Sequence, residues 1–206
     1  MNFQNLYRQM FHAKQNGQMQ LADELMLQME ELRKKNFSSP NLSQIEEILP
    51  RLPSFAARTL GQSQADWGGL ERANCINAAF NFHNEAPRSA PYSTMEFLDR
   101  IQAEFRQIQS DAMFQFGDLV VIWSRVGGAW DDKTIDVHQI NKNDPDFPYG
   151  LVFDHVMVRL TEDLVFHKPD PVLESRYQID FLNSVVILNV GNRGFELTFH
   201  RRSLSI

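Results

Sequence analysis

The chain has 206 residues, a formal net charge of −6 and a pI near 5.5, which suits one domain of ordinary size plus an extension. Such an acidic chain lacks the basic footprint of nucleic-acid binding proteins, so we expect no nucleic-acid partner. It has no run of eighteen apolar residues, and its start lacks a signal peptide's apolar region and cleavage site. We therefore expect a cytoplasmic protein without a membrane partner; delivery elsewhere stays open.

The first 36 residues predict two helices. Their apolar residues recur at helical spacing in two runs: Phe3, Leu6, Tyr7, Met10 and Phe11, and then Leu21, Leu25, Met29 and Leu32. Asn16 and Gly17 separate the runs and are typical of a helix end. We interpret residues 1–36 as a helical hairpin packed on the main domain, residues 37–206. The alternative is an arm that binds a protein partner or self-associates.

The middle of the chain predicts three further helices. Capping boxes place helix starts at Ser43 and Ser93, and the apolar spacing after Ser93 continues to Ile108. Asn74 is a preferred N-cap residue for a helix over residues 74–83. Residues 54–71 carry three glycines and are expected to be irregular.

After Gly117-Asp118 the pattern changes to strands rich in β-branched residues. The strand-like runs are 119–123, 153–160, 163–168, 175–181, 184–190 and 194–200. Helices followed by consecutive strands predict an α+β fold with a mostly antiparallel sheet. Polar residues 127–150 predict a long loop. Its aspartates 131, 132, 144 and 146 lack the spacing of a calcium loop, so we interpret them as solvated.

Cys75 is the only cysteine, so it forms no disulfide within the chain. A thiol attacks as a thiolate, and a helix start lowers its pKa because unpaired N–H groups point at the sulfur. The backbone N–H groups of Cys75 and Ile76 are then candidates for an oxyanion hole beside Asn74. The residue alone leaves open a buried structural thiol, since free cysteine is often buried.

Two histidines, His155 and His167, lie twelve residues apart on the strands that flank a predicted turn at residues 161–163. Since residue 161 is their midpoint, we expect them to face each other across the hairpin. Their even separation permits one sheet face. A cysteine nucleophile needs such a histidine base and a third polar group that orients it.

A metal site is the alternative for these histidines, with Asp154 or Asp170 as a further ligand. The chain has no metal motif such as His-Glu-x-x-His, no phosphate loop and no dinucleotide glycine pattern. We therefore expect no metal and no other cofactor.

Three blocks over residues 70–170 resemble the NlpC-type branch of the papain-like cysteine peptidases. The first is Asn-Cys-Ile-Asn-Ala-Ala-Phe at residues 74–80, the second is Gly-Asp and an apolar strand at 117–122, and the third is a strand-opening histidine with a polar residue twelve positions on. The resemblance implies a papain-like core, with Cys75 as nucleophile, His155 as base and His167 as the orienting residue. Where the family has Asp-Cys-Ser-Gly, this chain has Asn-Cys-Ile-Asn.

The resemblance also implies an activity. It is that of a cysteine hydrolase, a peptidase or amidase that cleaves peptide amides such as those of peptidoglycan through an acyl-enzyme. A thiol acyltransferase or thioesterase using the same residues is one alternative. A non-catalytic interaction module on the same fold is the other.

Overall fold

The computed structural model describes residues 6, 9–10, 13, 16–36, 40–60, 74–84, 88, 90–109, 114–125, 135–140, 151–169, 176–190 and 195–203. Most of the predicted loop at 127–150, with its four aspartates, lies outside these residues, and so does Asp170. Most of the predicted helix at 2–13 lies outside them too. Within the described ranges, no helix has both the length and the apolar character needed to cross a bilayer.

The described residues form helices and one six-stranded sheet. The helices are α1 (Met19–Asn36), α2 (Leu42–Ile48), α3 (Ser54–Thr59), α4 (Cys75–Phe82), α5 (Thr94–Glu104) and α6 (Leu182–Val190), with 3₁₀ turns at Leu49–Arg51 and Val137–Gln139. The strands are β1 (Phe105–Ile108), β2 (Leu119–Arg125), β3 (Leu151–Arg159), β4 (Leu164–His167), β5 (Gln178–Phe181) and β6 (Phe195–Arg202). Their order is β1-β6-β2-β3-β4-β5, and every neighbouring pair is antiparallel. The α+β class predicted from the sequence is confirmed.

One predicted strand is a helix. The run at 184–190 is rich in β-branched residues, yet it lies within α6. Leu182, Val185 and Val186 are buried whereas Leu188 is 68% exposed, which is the i, i+3, i+4 spacing of a helix packed on one side. Packing against the sheet therefore outweighs the strand propensity of the individual residues.

Two helix boundaries and one additional helix also differ from the prediction. The helix predicted to reach Ile108 ends at Glu104, and Phe105 begins β1, where it pairs with Arg202 of β6. Residues 54–59 are helical rather than irregular. The capping box of α2 begins at Asn41 and not at Ser43, because the Asn41 side chain accepts from the backbone of the third helical residue.

Each face of the sheet carries its own buried cluster. The first core lies under α4 and α5 and includes Ile76, Phe80, Phe97, Val156 and Phe166. The second core lies on the opposite face, and its members are Leu6, Met10, Ala13, Ala22, Leu25, Val120, Ile122, Met157, Val165, Leu182, Val185, Val186 and Phe195. The described N-terminal residues therefore pack directly on the sheet. A domain boundary at residue 36 stays a prediction.

Candidate active site

Two asparagines fix the start of α4. The Asn74 side chain accepts from the Asn77 N–H at 3.1 Å, and the Asn77 side chain accepts from the Asn74 N–H at 3.2 Å. The first N–H groups of a helix have no acceptor within it, and this reciprocal capping satisfies the one at Asn77. The backbones of Cys75 and Ile76 hydrogen-bond the Cys75 sulfur instead and lower its pKa. The helix thus begins at the thiol, with its donors turned toward it.

Asn77 also holds the chain that follows the helix. Its amide nitrogen donates to the carbonyls of Arg88 at 3.1 Å and Ala90 at 2.8 Å, and its oxygen accepts from the Tyr92 N–H at 3.3 Å. Asn74 donates to the Tyr92 carbonyl at 2.8 Å. Both side chains are thus engaged in internal contacts. The Tyr92 carbonyl occupies the Asn74 amide, and the Ile76 backbone hydrogen-bonds the Cys75 sulfur. An oxyanion role for either group stays a prediction.

The half-buried Cys75 lies against β3. A hydrogen bond with the Val156 backbone reaches the sulfur and lowers its pKa. Val156 directly follows His155 in β3. The structure therefore places Cys75 against the strand that carries His155, and their pairing as nucleophile and base stays a prediction.

The protonation state of Cys75 differs from the prediction. Burial raises the pKa of the thiol to about 11, although backbone hydrogen bonds with Val156, Ile76 and Cys75 itself and the charge of Lys168 lower it. The expectation that the helix start would leave a lowered pKa is wrong, because the loss of hydration outweighs the donors. The thiol is protonated at pH 7.

His155 and His167 are in direct contact. Nε2 of His155 lies 3.0 Å from Nδ1 of His167, and the two rings are nearly perpendicular. The register differs by one residue from the prediction, because Val158 pairs with Phe166 and the turn is centred on residue 162 rather than 161. In that register His167 lies opposite Met157, and His155 is its diagonal neighbour. Diagonal pairs on one face are still within reach of long side chains.

The pair extends to a carboxylate that the sequence analysis missed. Nε2 of His167 lies 3.0 Å from Oδ2 of Asp180, and the Gln178 amide donates to the same oxygen at 2.5 Å. β5 places both groups, because it pairs Gln178 with His167 and Asp180 with Val165. A signal was present in the sequence. Gln178 and Asp180 alternate with the apolar residues 177, 179 and 181, so one face of the strand after His167 is polar.

The carboxylate determines where the ring protons lie. An ionised Asp180 only accepts, so Nε2 of His167 must carry a proton and donate to it. In a neutral His167, Nδ1 is then an acceptor, so Nε2 of His155 carries the proton of the 3.0 Å contact. Nδ1 of His155 is left with a free lone pair. These tautomers are assigned from the hydrogen-bond pattern, and they give His155 the form that a general base requires.

Burial keeps His155 in that neutral form. The side chain is 1% exposed, and the loss of hydration holds its pKa well below the usual value, with the neighbouring His167 lowering it further. A protonated His155 is therefore unfavourable at rest, and the ring accepts a proton only when a negative charge forms nearby.

The thiol and the histidines approach the sheet from opposite faces. Along β3, Val156 belongs to the first core beneath α4 and Met157 belongs to the second. Side chains alternate along a strand, so His155 leaves β3 on the second-core side. His167 does the same on β4, because its neighbour Phe166 is in the first core.

The β3–β4 ladder ends before Val156. In the described part of the chain, β3 and β4 pair only at Val158 with Phe166 and at Arg159 with Val165. The Val156 backbone hydrogen-bonds the Cys75 sulfur from the first-core side, whereas the His155 ring leaves β3 on the second-core side. The sulfur and the His155 ring therefore lie on opposite sides of β3.

Metal coordination finds no support in these residues. Across the described ranges, no group of three or more His, Cys, Asp and Glu residues is arranged to hold an ion. His155 and His167 direct their facing nitrogens at each other, and His167 uses its second nitrogen for Asp180. The hydrogen-bonded chain accounts for three of the four ring nitrogens.

No family model, curated protein or solved structure matches this chain. The functional assignment therefore rests on the chemistry of the site.

Proposed function

We propose that the protein is a cysteine hydrolase of the papain-like type that cleaves a peptide or related amide bond. One observation carries the proposal: a chain of hydrogen bonds from His155 through His167 to Asp180 begins on the strand residue before Val156, whose backbone hydrogen-bonds the Cys75 sulfur. A nucleophile, a base and a group that orients the base are the parts of acyl-transfer catalysis.

The protonated thiol requires that proton transfer accompany attack. As the Cys75 sulfur bonds to the acyl carbon, its proton passes to Nδ1 of His155, and the carbonyl electron pair moves to oxygen. The N–H groups at the start of α4 stabilise that oxyanion. The tetrahedral intermediate collapses and expels the amine, which takes the proton from His155 and leaves a thioester on Cys75.

Water completes the reaction by the same route. His155 takes a proton from the attacking water, the thioester carbon–sulfur bond breaks, and the proton returns to the sulfur while the carboxylic acid leaves. His167 and Asp180 hold the His155 ring in one tautomer throughout and stabilise the positive charge that it carries between steps. Peptide amides of the peptidoglycan type are the first substrates to test, because the sequence resembles a family that cleaves them.

The test is detection of an acyl-enzyme by intact-protein mass spectrometry after rapid quenching. The probes are p-nitrophenyl acyl esters and a panel of peptide amides. We expect the wild type to gain one acyl group on Cys75 and to release it as acid, and Cys75→Ala to gain none. His155→Ala should acylate about 10²–10⁴ times more slowly, whereas the exposed His138→Ala should keep the wild-type rate. Equal acylation of the wild type and His155→Ala would contradict the proposal.

A second candidate function is favoured by the thiol itself. A pKa of about 11 also suits an inert thiol in a non-catalytic interaction module, with residues 1–36 as the contact for a protein partner or a second copy. The same experiment separates the candidates, because an inert module forms no acyl-enzyme with any probe. Transfer of the acyl group to an added amine in preference to water would instead identify an acyltransferase.

A further inference from the structure

A lysine is fully buried beside the relay. Lys168 directly follows His167, is 0% exposed and is among the largest completely buried side chains of the described residues. Removing an ammonium group from water costs several kcal/mol as an order of magnitude, and lysine is almost never fully buried unless it is paired. Nothing in the hydrogen-bonded chain from His155 to Asp180 uses this residue.

The strand pattern directs Lys168 toward α4. Leu164 and Phe166 of β4 belong to the first core, the same cluster as Ile76 of α4. His167 follows Phe166, and its side chain turns to the other face, where it meets Asp180. Two residues beyond Phe166, the alternation returns the Lys168 side chain to the face that α4 covers. Cys75 begins that helix, and α4 packs against both β3 and β4.

We infer that Lys168 is a positioning residue whose buried positive charge stabilises the negative charge that forms on the Cys75 sulfur. The charge acts through the thiol and is not part of the proton relay. In support, Lys168 lowers the pKa of Cys75, although burial remains the larger influence. During acyl transfer the same charge favours departure of the thiolate when the thioester is hydrolysed.

Other charged groups near α4 are placed less well for this role. They are Arg58 of α3, Arg100 of α5, and Asp154 and Arg159 of β3, with His155 and His167 in the relay. The Arg100 guanidinium lies over the Phe80 ring of α4 and is paired with Glu104 of its own helix. Arg58 is exposed and donates to the Ser54 carbonyl in its own helix. Arg159 is bound to the carbonyls of the β3–β4 turn. Asp154 is negative, and both histidines face the second core.

The test is the pH dependence of Cys75 alkylation by iodoacetamide in the full chain. Lys168→Met keeps a linear side chain and removes the charge, so its rate at pH 9 should fall about threefold to tenfold and its pH midpoint should rise. Lys168→Arg should stay within about twofold of the wild type. Arg106→Met removes an exposed charge from β1, at the far edge of the sheet, and should change nothing. An unchanged profile in folded Lys168→Met overturns the inference.

A second measurement needs no change at Lys168. The ¹³C shift of the Lys168 side-chain Cε in the wild type should titrate with the same midpoint as the Cys75 thiol, and that step should be absent in Cys75→Ser. A lysine shift that ignores the thiol midpoint overturns the inference even if Lys168→Met does not fold. The inference deepens the proposed function, but alkylation and titration require no turnover. A protein that never hydrolyses a substrate can therefore still show the lysine effect.

Discussion

At the scale of single residues, the protonation states of the buried groups define the chemistry. Cys75 is protonated and His155 is neutral at pH 7, because burial disfavours the charged form of both. A resting thiolate–imidazolium pair is therefore not the ground state. In the proposed mechanism, proton transfer to His155 accompanies attack, and the rate depends on the ring orientation that His167 and Asp180 maintain.

The buried histidines also predict acid sensitivity of the fold. Burial, with a smaller effect of neighbouring Arg202, lowers the pKa of His83 to about 4. Burial, with a smaller effect of His138, lowers the pKa of His200 to about 3. The unfolded chain titrates these groups near 6.5 and thus binds more protons as the pH falls, so stability is present above that value and is lost on acidification. We expect the protonation linked to each of these two histidines to lower the unfolding free energy by up to about 2 kcal/mol between pH 7 and pH 5.

Urea unfolding at the two pH values measures this loss, and His200→Gln should make it smaller. The two carboxylates with lowered pKa values, Glu96 and Glu104, do not account for a loss of stability between pH 7 and pH 5. The Glu96 and Glu104 pKa values are lowered by hydrogen bonds, first from the Ser93 backbone and from the Arg100 side chain respectively. Their stabilisation is present above about 4.5 and is lost only as the pH falls further. Equal unfolding free energies at pH 7 and pH 5 would show that the histidines are not buried and neutral.

At the scale of elements, α1 supplies a measurable part of the second core. Leu25 is 5% exposed and packs in that core, whereas Leu27, two residues along the same helix, is 63% exposed. Leu25→Ala should lower the unfolding free energy by about 2–4 kcal/mol, because it removes buried methyl groups and leaves a cavity. Leu27→Ala is the matched control and should cost less than about 0.5 kcal/mol. Equal effects in chemical denaturation would mean that α1 does not pack on the sheet as described.

The elements were predictable where a local signal acted alone. Asn74 caps α4 at the predicted position, because its side chain needs only the backbone three residues on. β1 was not predictable from the helical spacing that runs to Ile108, because pairing with β6 turns residues 105–108 into a strand. The helix α6 was not predicted for a similar reason. Its β-branched residues favour a strand, and burial against the sheet stabilises the helix instead.

At the scale of the whole molecule, the candidate site joins segments far apart in the chain. The thiol comes from a helix start at residue 75, the base from β3, and the groups behind it from β4 and β5. The sequence predicted that His155 and His167 share a sheet face, because strand alternation is local. It did not reveal Asp180, since that contact depends on the β4–β5 register. The raised pKa of Cys75 likewise depends on burial by several elements.

The candidate residues lie on both faces of the sheet. α4 covers one face and positions Cys75, while the second face carries the histidines and the carboxylate. The proposed function requires the thiol and the His155 ring to meet across β3, near the end of the β3–β4 ladder. That requirement concerns the assembled sheet rather than any single motif.

The claim that these groups act as one relay is tested most directly by removing its last member. The measurement is the rate of Cys75 acylation by a p-nitrophenyl ester in Asp180→Asn, with the exposed turn residue change Asp163→Asn as the matched control. We expect Asp180→Asn to fold and to acylate about 10²–10⁴ times more slowly than the wild type, and Asp163→Asn to be unchanged. The double variant His155→Ala/Asp180→Asn should be no slower than His155→Ala alone, because the carboxylate acts through the histidines. A wild-type acylation rate in Asp180→Asn would contradict the relay.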